Sequence, residues 1–153
     1  DDSTSMTFYM NKMDPTLSDD YYYVSGELGA NSGNRLAYMP ELSYYVSFDK
    51  NFVMGNGKPG FINIDYSYTG DRNSTYENSP ILIPSYSIAN LRAGVENENS
   101  TIELYITNIF DKDALLSTYD DFSAVGSSGY AGFGYRDTRT KPMVVGIRLR
   151  YKY

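Results

Sequence analysis

The last thirteen residues, Lys141 to Tyr153 (KPMVVGIRLRYKY), restrict the fold of this chain more than any other stretch. From Met143 onward every odd position is apolar (Met143, Val145, Ile147, Leu149, Tyr151, Tyr153), while the even positions hold Val144, Gly146, Arg148, Arg150 and Lys152. Period two over that length specifies a strand with one apolar and one polar face. Eleven residues at about 3.3 Å each reach about 36 Å, which a strand tilted by about 40° needs to cross the apolar band of an outer membrane. The strand stops on an aromatic residue, and membrane barrels place aromatic girdles where strands leave the hydrocarbon.

The same alternation recurs upstream. Leu42, Tyr44, Val46 and Phe48 oppose Ser43, Tyr45, Ser47 and Asp49. After a turn within Phe52 to Gly60, Ile62, Ile64, Tyr66 and Tyr68 oppose Asn63, Asp65, Ser67 and Thr69. These two runs form an antiparallel hairpin. Ala89, Leu91, Ala93 and Val95 oppose Asn90, Arg92, Gly94 and Glu96, and Ile102, Leu104 and Ile106 oppose Thr101, Glu103 and Thr107. Only Asn97 to Ser100 separates them, so they form a second hairpin. Met6, Phe8 and Met10 alternate as the end of a strand, and Tyr21 to Ala30 reads as one further strand, with Tyr22, Val24 and Leu28 on one face.

Short turns alternate with long connections. Gly70 to Pro84 is a polar loop, and Asp111 to Lys141, rich in Gly, Ser, Asp and Tyr, shows neither helical nor strand period. Outer-membrane barrels have short turns on the periplasmic side and long loops outside, and both long connections fall on the outer side if the final strand descends. The fold expected is therefore all-β, an antiparallel meander of about five to seven strands that forms a segment of a transmembrane β-barrel. Arg148, Arg150 and Lys152 then lie beside the strand carrying Glu103, and Arg92 lies near Glu96, Glu103 and Asp65. An Arg facing lipid at the midplane costs about 2–4 kcal/mol, so the apolar face is the lipid side and the charged face the lumen.

Composition narrows the function. The 153 residues include 17 Tyr and 13 Gly but no Trp, Cys or His. Without Cys there is neither a disulfide framework nor thiol chemistry, and without His the usual general base and commonest metal ligand are missing. A net charge of −6 with no basic cluster outside the last strand argues against nucleic acid as a partner. No apolar run is long enough for a transmembrane helix, which does not exclude a membrane, because barrel strands carry a much weaker signal per segment. The opening DDSTS lacks an initiator Met and a signal peptide, and is read as a piece of something longer.

Gly33, Asn34, Arg35, Leu36 and Pro40; Asn90, Leu91, Arg92 and Gly94; Asn108, Ile109, Phe110 and Asp111; and Pro142, Gly146, Leu149 and Tyr153 occur in this order. In that order they resemble the "G.RL...P", "NLR.G", "NLFD" and "RP..G..L...F" segments of the C-terminal barrel region of TonB-dependent outer-membrane receptors, over residues 33 to 153. Tyr153 stands where Phe is more usual, and Lys141 precedes Pro142 without the common Arg after it. The resemblance implies a plugged barrel of about twenty-two strands. Residues 1 to 153 would be its C-terminal segment, without the plug and the earlier strands. It also implies an active transporter in the bacterial outer membrane that imports a scarce nutrient, such as a ferric siderophore, with TonB-derived energy. Its partners would be outer-membrane lipid, its own plug domain, TonB, a small-molecule nutrient and the barrel-assembly machinery. Gly146, Leu149, Tyr151 and Tyr153 would form the assembly signal. Two other readings stay open: a smaller porin or adhesin barrel without energy coupling, and a soluble β-sheet binding module.

No enzyme motif survives scrutiny, and no catalytic residue, cofactor or metal site is expected. GNGKPG at Gly55 to Gly60 lacks the spacing of a phosphate loop and is a turn. Asp19/Asp20 and Asp120/Asp121 lack the spacing of a calcium loop. In the last long loop, Tyr119, Tyr130, Phe133, Tyr135 and Arg136 are the candidate ligand contacts, because aromatic rings with Arg suit a planar or anionic ligand.

Overall fold

The computed structural model of the chain describes residues 2–78, 80–121 and 134–153. In chain order its strands begin with β1 (Ser3–Lys12), β2 (Tyr21–Tyr22), β3 (Leu28–Ala30), β4 (Leu42–Val53), β5 (Pro59–Thr69) and β6 (Arg72–Asn73). They continue with β7 (Leu82–Ile83), β8 (Tyr86–Asn97), β9 (Ser100–Thr107), β10 (Leu115–Asp121), β11 (Gly134–Arg139) and β12 (Val144–Tyr151). There is no helix among the described residues.

The long strands form one six-stranded sheet in the order β1-β4-β5-β8-β9-β12, every neighbour antiparallel. The expected all-β meander is thus present, as an open sheet. Its register keeps the sequence alternation in phase across every strand. One row of directly facing residues reads Met6, Phe48, Ile64, Leu91, Ile106 and Val145. The neighbouring row, on the opposite face, reads Ser5, Asp49, Asn63, Arg92, Tyr105 and Gly146. A one-residue slip in any strand would put that strand's apolar set among the polar residues.

Exposure on the two faces is inverted relative to a sheet packed on a core. On the apolar face Met6 is 73% exposed, Ile147 70% and Leu149 73%, whereas Ser47, Asn63 and Glu103 on the polar face are 6%, 8% and 8% exposed. The polar face is sheltered around Ser47, Asn63 and Glu103, while Ser5, Tyr9, Arg92 and Arg148 on it are exposed, and it holds an open hollow of about 320 Å³ between Asp49, Asn63, Arg92, Glu103 and Arg148. No second layer covers the apolar face among the described residues. The buried apolar residues among them are Ala30, Ile83, Ala89 and Ala114, of which Ala89 alone lies in the sheet.

Two connections are tight, and both lie at one end of the sheet. Met54 N–H donates to the Lys58 carbonyl and Gly57 takes φ +79° between β4 and β5, while Glu98 and Asn99 join β8 to β9. The three long connections, 13–41, 70–85 and 108–143, gather at the other end, and each carries a small two-stranded sheet: β2-β3, β6-β7 and β10-β11.

Two details correct the sequence reading. Tyr21 to Ala30 is a small hairpin rather than one strand: Tyr23 N–H donates to the Glu27 carbonyl, and Gly26 at φ +85° makes the turn. The loop 111–141 contains β10 and β11, paired from Leu115↔Arg139 to Asp121↔Gly134. Arg92 faces Asn63 and Tyr105 across its ladders, and its Nε lies 3.4 Å from Asn63 Oδ1. As expected, Arg92 shares a hollow with Glu96 and Glu103, and Arg148 pairs with the Glu103 carboxylate at 2.9 Å.

Candidate functional site

The long-loop end of the sheet is where polar groups, a second hollow and an unusual cation come together. Its floor is the polar face of β5, β8 and β9. Its rim is built by contacts between loops far apart in sequence, and these contacts hold the rim in one arrangement.

The first and second loops are joined by ion pairing and amides. Arg35 Nη1 lies 2.8 Å from Asp71 Oδ2, its Nη2 donates to the Asp71 carbonyl at 2.6 Å, and its Nε lies 3.4 Å from Glu41. The guanidinium holds the Asp71 carboxyl below the usual carboxylate range. Asn31 and Asn34 both donate to Asn78 Oδ1, at 2.8 and 3.0 Å. Tyr21 meets Tyr23 and Tyr76 edge to face, at 5.6 and 5.4 Å between centroids. Tyr23 donates to Glu77 Oε1 at 2.5 Å, and that bond to a carboxylate pushes its phenol up to about 12.

The third loop is pinned at its base by Asn108, 4% exposed and at φ 51°. Asn108 Nδ2 donates to the carbonyls of Lys112 and Lys141, Oδ1 accepts from Lys112 N–H, and its backbone N–H donates to Asn90 Oδ1. Asp111 Oδ1 accepts from Met143 N–H at 2.7 Å. Asn, which tolerates a left-handed backbone, is the residue type this corner requires. Asn108 and Asp111 belong to the NIFD segment, and Asn90 to the NLR.G segment. Sequence reasoning had marked these as motif residues without assigning them this role.

Two side chains hold β10 against the rest. Arg72 Nη2 donates to the Leu116 carbonyl at 2.6 Å, and Tyr38 Oη donates to the Thr118 carbonyl at 2.6 Å. Arg72 is 5% exposed, its guanidinium carbon lies 5.5 Å from the centroid of the Tyr86 ring, and its Nη1 has no hydrogen-bond partner among the described residues. Below it, Tyr86, Ile88, Asn90, Asn108, Leu116 and Lys141 wall an open hollow of about 580 Å³.

The candidate ligand contacts are only partly brought together. Tyr119 faces Arg136 directly across the β10-β11 ladder, and Tyr135 faces Asp120. Tyr130 and Phe133 lie outside the described residues. No family model, curated protein or solved structure matches this chain. The residues of the expected assembly signal occupy both faces of β12 and the residues beyond it. Leu149 and Tyr151 stand exposed on the apolar face, Tyr153 is exposed, and Gly146 lies on the polar face beneath the ring of Tyr105. On the apolar face near the loop end, Tyr44 stacks on Tyr68 and Tyr66, at 5.0 and 6.1 Å, while Tyr151 stands at the turn end.

Among the described residues no three acidic side chains gather as a metal site. What the loop end offers is a pre-formed hollow with hydroxyl, amide and cationic walls, in the size range of small-molecule sites.

Proposed function

We propose that this chain is a wall segment of an outer-membrane β-barrel of the TonB-dependent receptor class, and that the intact protein imports a scarce nutrient captured at the loop end. The observation that carries the barrel reading is the inversion of exposure at the centre of the sheet: a single layer whose apolar face is uncovered while Ser47, Asn63 and Glu103 on its polar face are buried. Lipid is the medium that such an apolar face suits, and the polar face suits a lumen. Tight turns at one end and long, mutually bonded loops at the other match the same geometry. The ordered NLR.G, NIFD and terminal segments support the receptor class within barrels. On this reading the outer edges of β1 and β12 pair with further strands, since an open edge in hydrocarbon leaves backbone groups unsatisfied. A soluble sheet module would need a second layer to bury the outer row from Met6 to Val145.

The test is the apparent size of the native parent protein in isolated outer membranes, detected with an antibody to this segment, boiled and unboiled. A heat-modifiable band far larger than 17.3 kDa is expected. A small heat-modifiable band would indicate a compact barrel without a plug, and a band confined to the soluble fraction would overturn the membrane reading.

A further inference from the structure

The hollow under the third loop has an unusual charge for this molecule. The chain carries 19 Asp and Glu against 13 Lys and Arg, yet among the described residues no carboxylate lines this hollow, and Lys141 is its one charged wall residue. A second cation lies behind the wall. Arg72 touches two wall residues, stacking over Tyr86 and donating to the carbonyl of Leu116. Its neighbour in sequence, Asp71, is committed to Arg35. Arg72 is therefore a guanidinium 95% removed from solvent with no carboxylate partner and an idle Nη1 amino group among the described residues.

Burying a charge without a counter-charge is costly, and proteins that retain one usually use it. Contact with carbonyl and ring satisfies part of the guanidinium's hydrogen-bonding and π-stacking capacity but none of its charge. Its field extends into the hollow, to which Lys141 adds a second positive charge in water-accessible reach. The other polar walls are largely spoken for: Asn90 donates to Asp65, Asn108 is engaged by the loop base, and Ser67 and Thr140 donate to carbonyls. Among the described residues the Tyr86, Thr107 and Lys141 side chains are what remain to meet a ligand, and all three can donate to an oxyanion.

We propose that this hollow binds a small oxyanion, carboxylate or phosphate, held directly by Lys141 and Tyr86 and favoured by the buried charge of Arg72. The inference deepens the receptor reading, on which the hollow's outward position rests, by naming the charge class of what is captured.

The intact parent protein, in detergent micelles, is tested by equilibrium dialysis against citrate and inorganic phosphate, with glucose as the neutral control. Saturable uptake of at least one anion and none of glucose is expected, falling as salt is raised. Citrate without phosphate identifies a carboxylate ligand, and both together identify a general oxyanion site; each supports the proposal. Lys141→Gln, at an exposed position, is expected to weaken binding about tenfold, the scale of one charge-assisted hydrogen bond. Arg72→Met is expected to weaken it as well, with Arg72→Lys retaining more. Absence of saturable uptake of both anions, or equal uptake by wild type and Lys141→Gln, overturns the proposal. Anion binding by a chain found only in the soluble fraction would uphold the site while defeating the receptor reading. Membrane insertion without anion binding would do the converse.

Discussion

The ring of Tyr105 lies over Gly146, its directly facing neighbour across the β9-β12 ladder, so that a Cβ at position 146 would collide with the ring. The relationship repeats. Phe61 covers its facing Gly94, and Phe52 covers its facing Gly60. An aromatic ring folded over a cross-strand glycine restores the contact that a residue without a side chain lacks, and it pins the register of the pair. Arg148, two residues along β12, stacks over the same Tyr105 ring at 5.5 Å and pairs with Glu103. Gly146 was marked by the sequence as part of an assembly signal; in the fold it makes room for this ring.

Gly94→Ala should therefore be the most damaging of the strand glycine substitutions. Its Cβ would sit 2.7 Å from the Ile102 carbonyl oxygen, which is backbone and cannot swing aside, as well as against the Phe61 ring. Overpacking of that kind costs about 1–3 kcal/mol. Gly146→Ala meets only the movable side chain of Tyr105 and should cost less. Urea unfolding in detergent, followed by loss of strand circular dichroism, gives both values. Equal costs would mean that the backbone contact at Gly94 is not the decisive one.

The Arg148–Glu103 pair should matter more than its half-exposed arginine implies. Glu103 is sheltered, with its side chain 10% exposed, while Arg148 is 51% exposed. Removing the arginine leaves a largely desolvated carboxylate unpaired, which costs about 1–3 kcal/mol. Arg148→Ala should destabilise on that scale, and Arg148→Ala with Glu103→Gln should recover part of it. A double-mutant cycle in detergent measures the coupling, and strict additivity would show that the two side chains act independently.

A charge placed on the two faces should give opposite results. Ile64→Arg sits in the middle of the outer apolar row and should cost about 2–4 kcal/mol in a membrane. Ser5→Arg, on the polar face and directly opposite Asp49, should be close to neutral. The measurement is the fraction of each variant that is heat-modifiable in outer membranes. Comparable folding of both would sink the assignment of the faces.

The loop rim should loosen at both extremes of pH, by different pairs. Asp71 has a folded value below its ordinary 3.8, so its contribution is present above that value and is lost as pH falls through the lowered one, when Arg35 loses its partner. Tyr23 is raised from 10.0 to about 12, so its contribution is present below 10 and is lost as pH rises from there toward 12, when its bond to Glu77 breaks. Amide exchange or protease nicking within residues 13–41 and 70–78, followed across pH, should rise at both ends. Asp71→Asn should flatten only the acidic rise and Tyr23→Phe only the alkaline one.

The sequence by itself determined the faces of the long alternating strands from Leu42 onward, because period two is a local property and every side chain's face follows from its parity. The tight turns fix the register of β4 with β5 and of β8 with β9, whereas the other three pairs are joined through long loops, so the continuous row from Met6 to Val145 was set by the tertiary structure. The loop end was not legible in the same way. β10 and β11 carry no hydrophobic alternation, since Ser, Thr, Tyr and Asp fill both faces, and β2, β3, β6 and β7 are two or three residues each, too short to show a period. Their existence depends on contacts such as Arg35 with Asp71, Tyr38 with Thr118 and Arg72 with Leu116, which join residues 36, 80 and 44 positions apart. Such contacts are set only when the sheet brings the three long loops to the same end, so the rim, the hollow beneath it and the buried charge of Arg72 are properties of the tertiary structure alone.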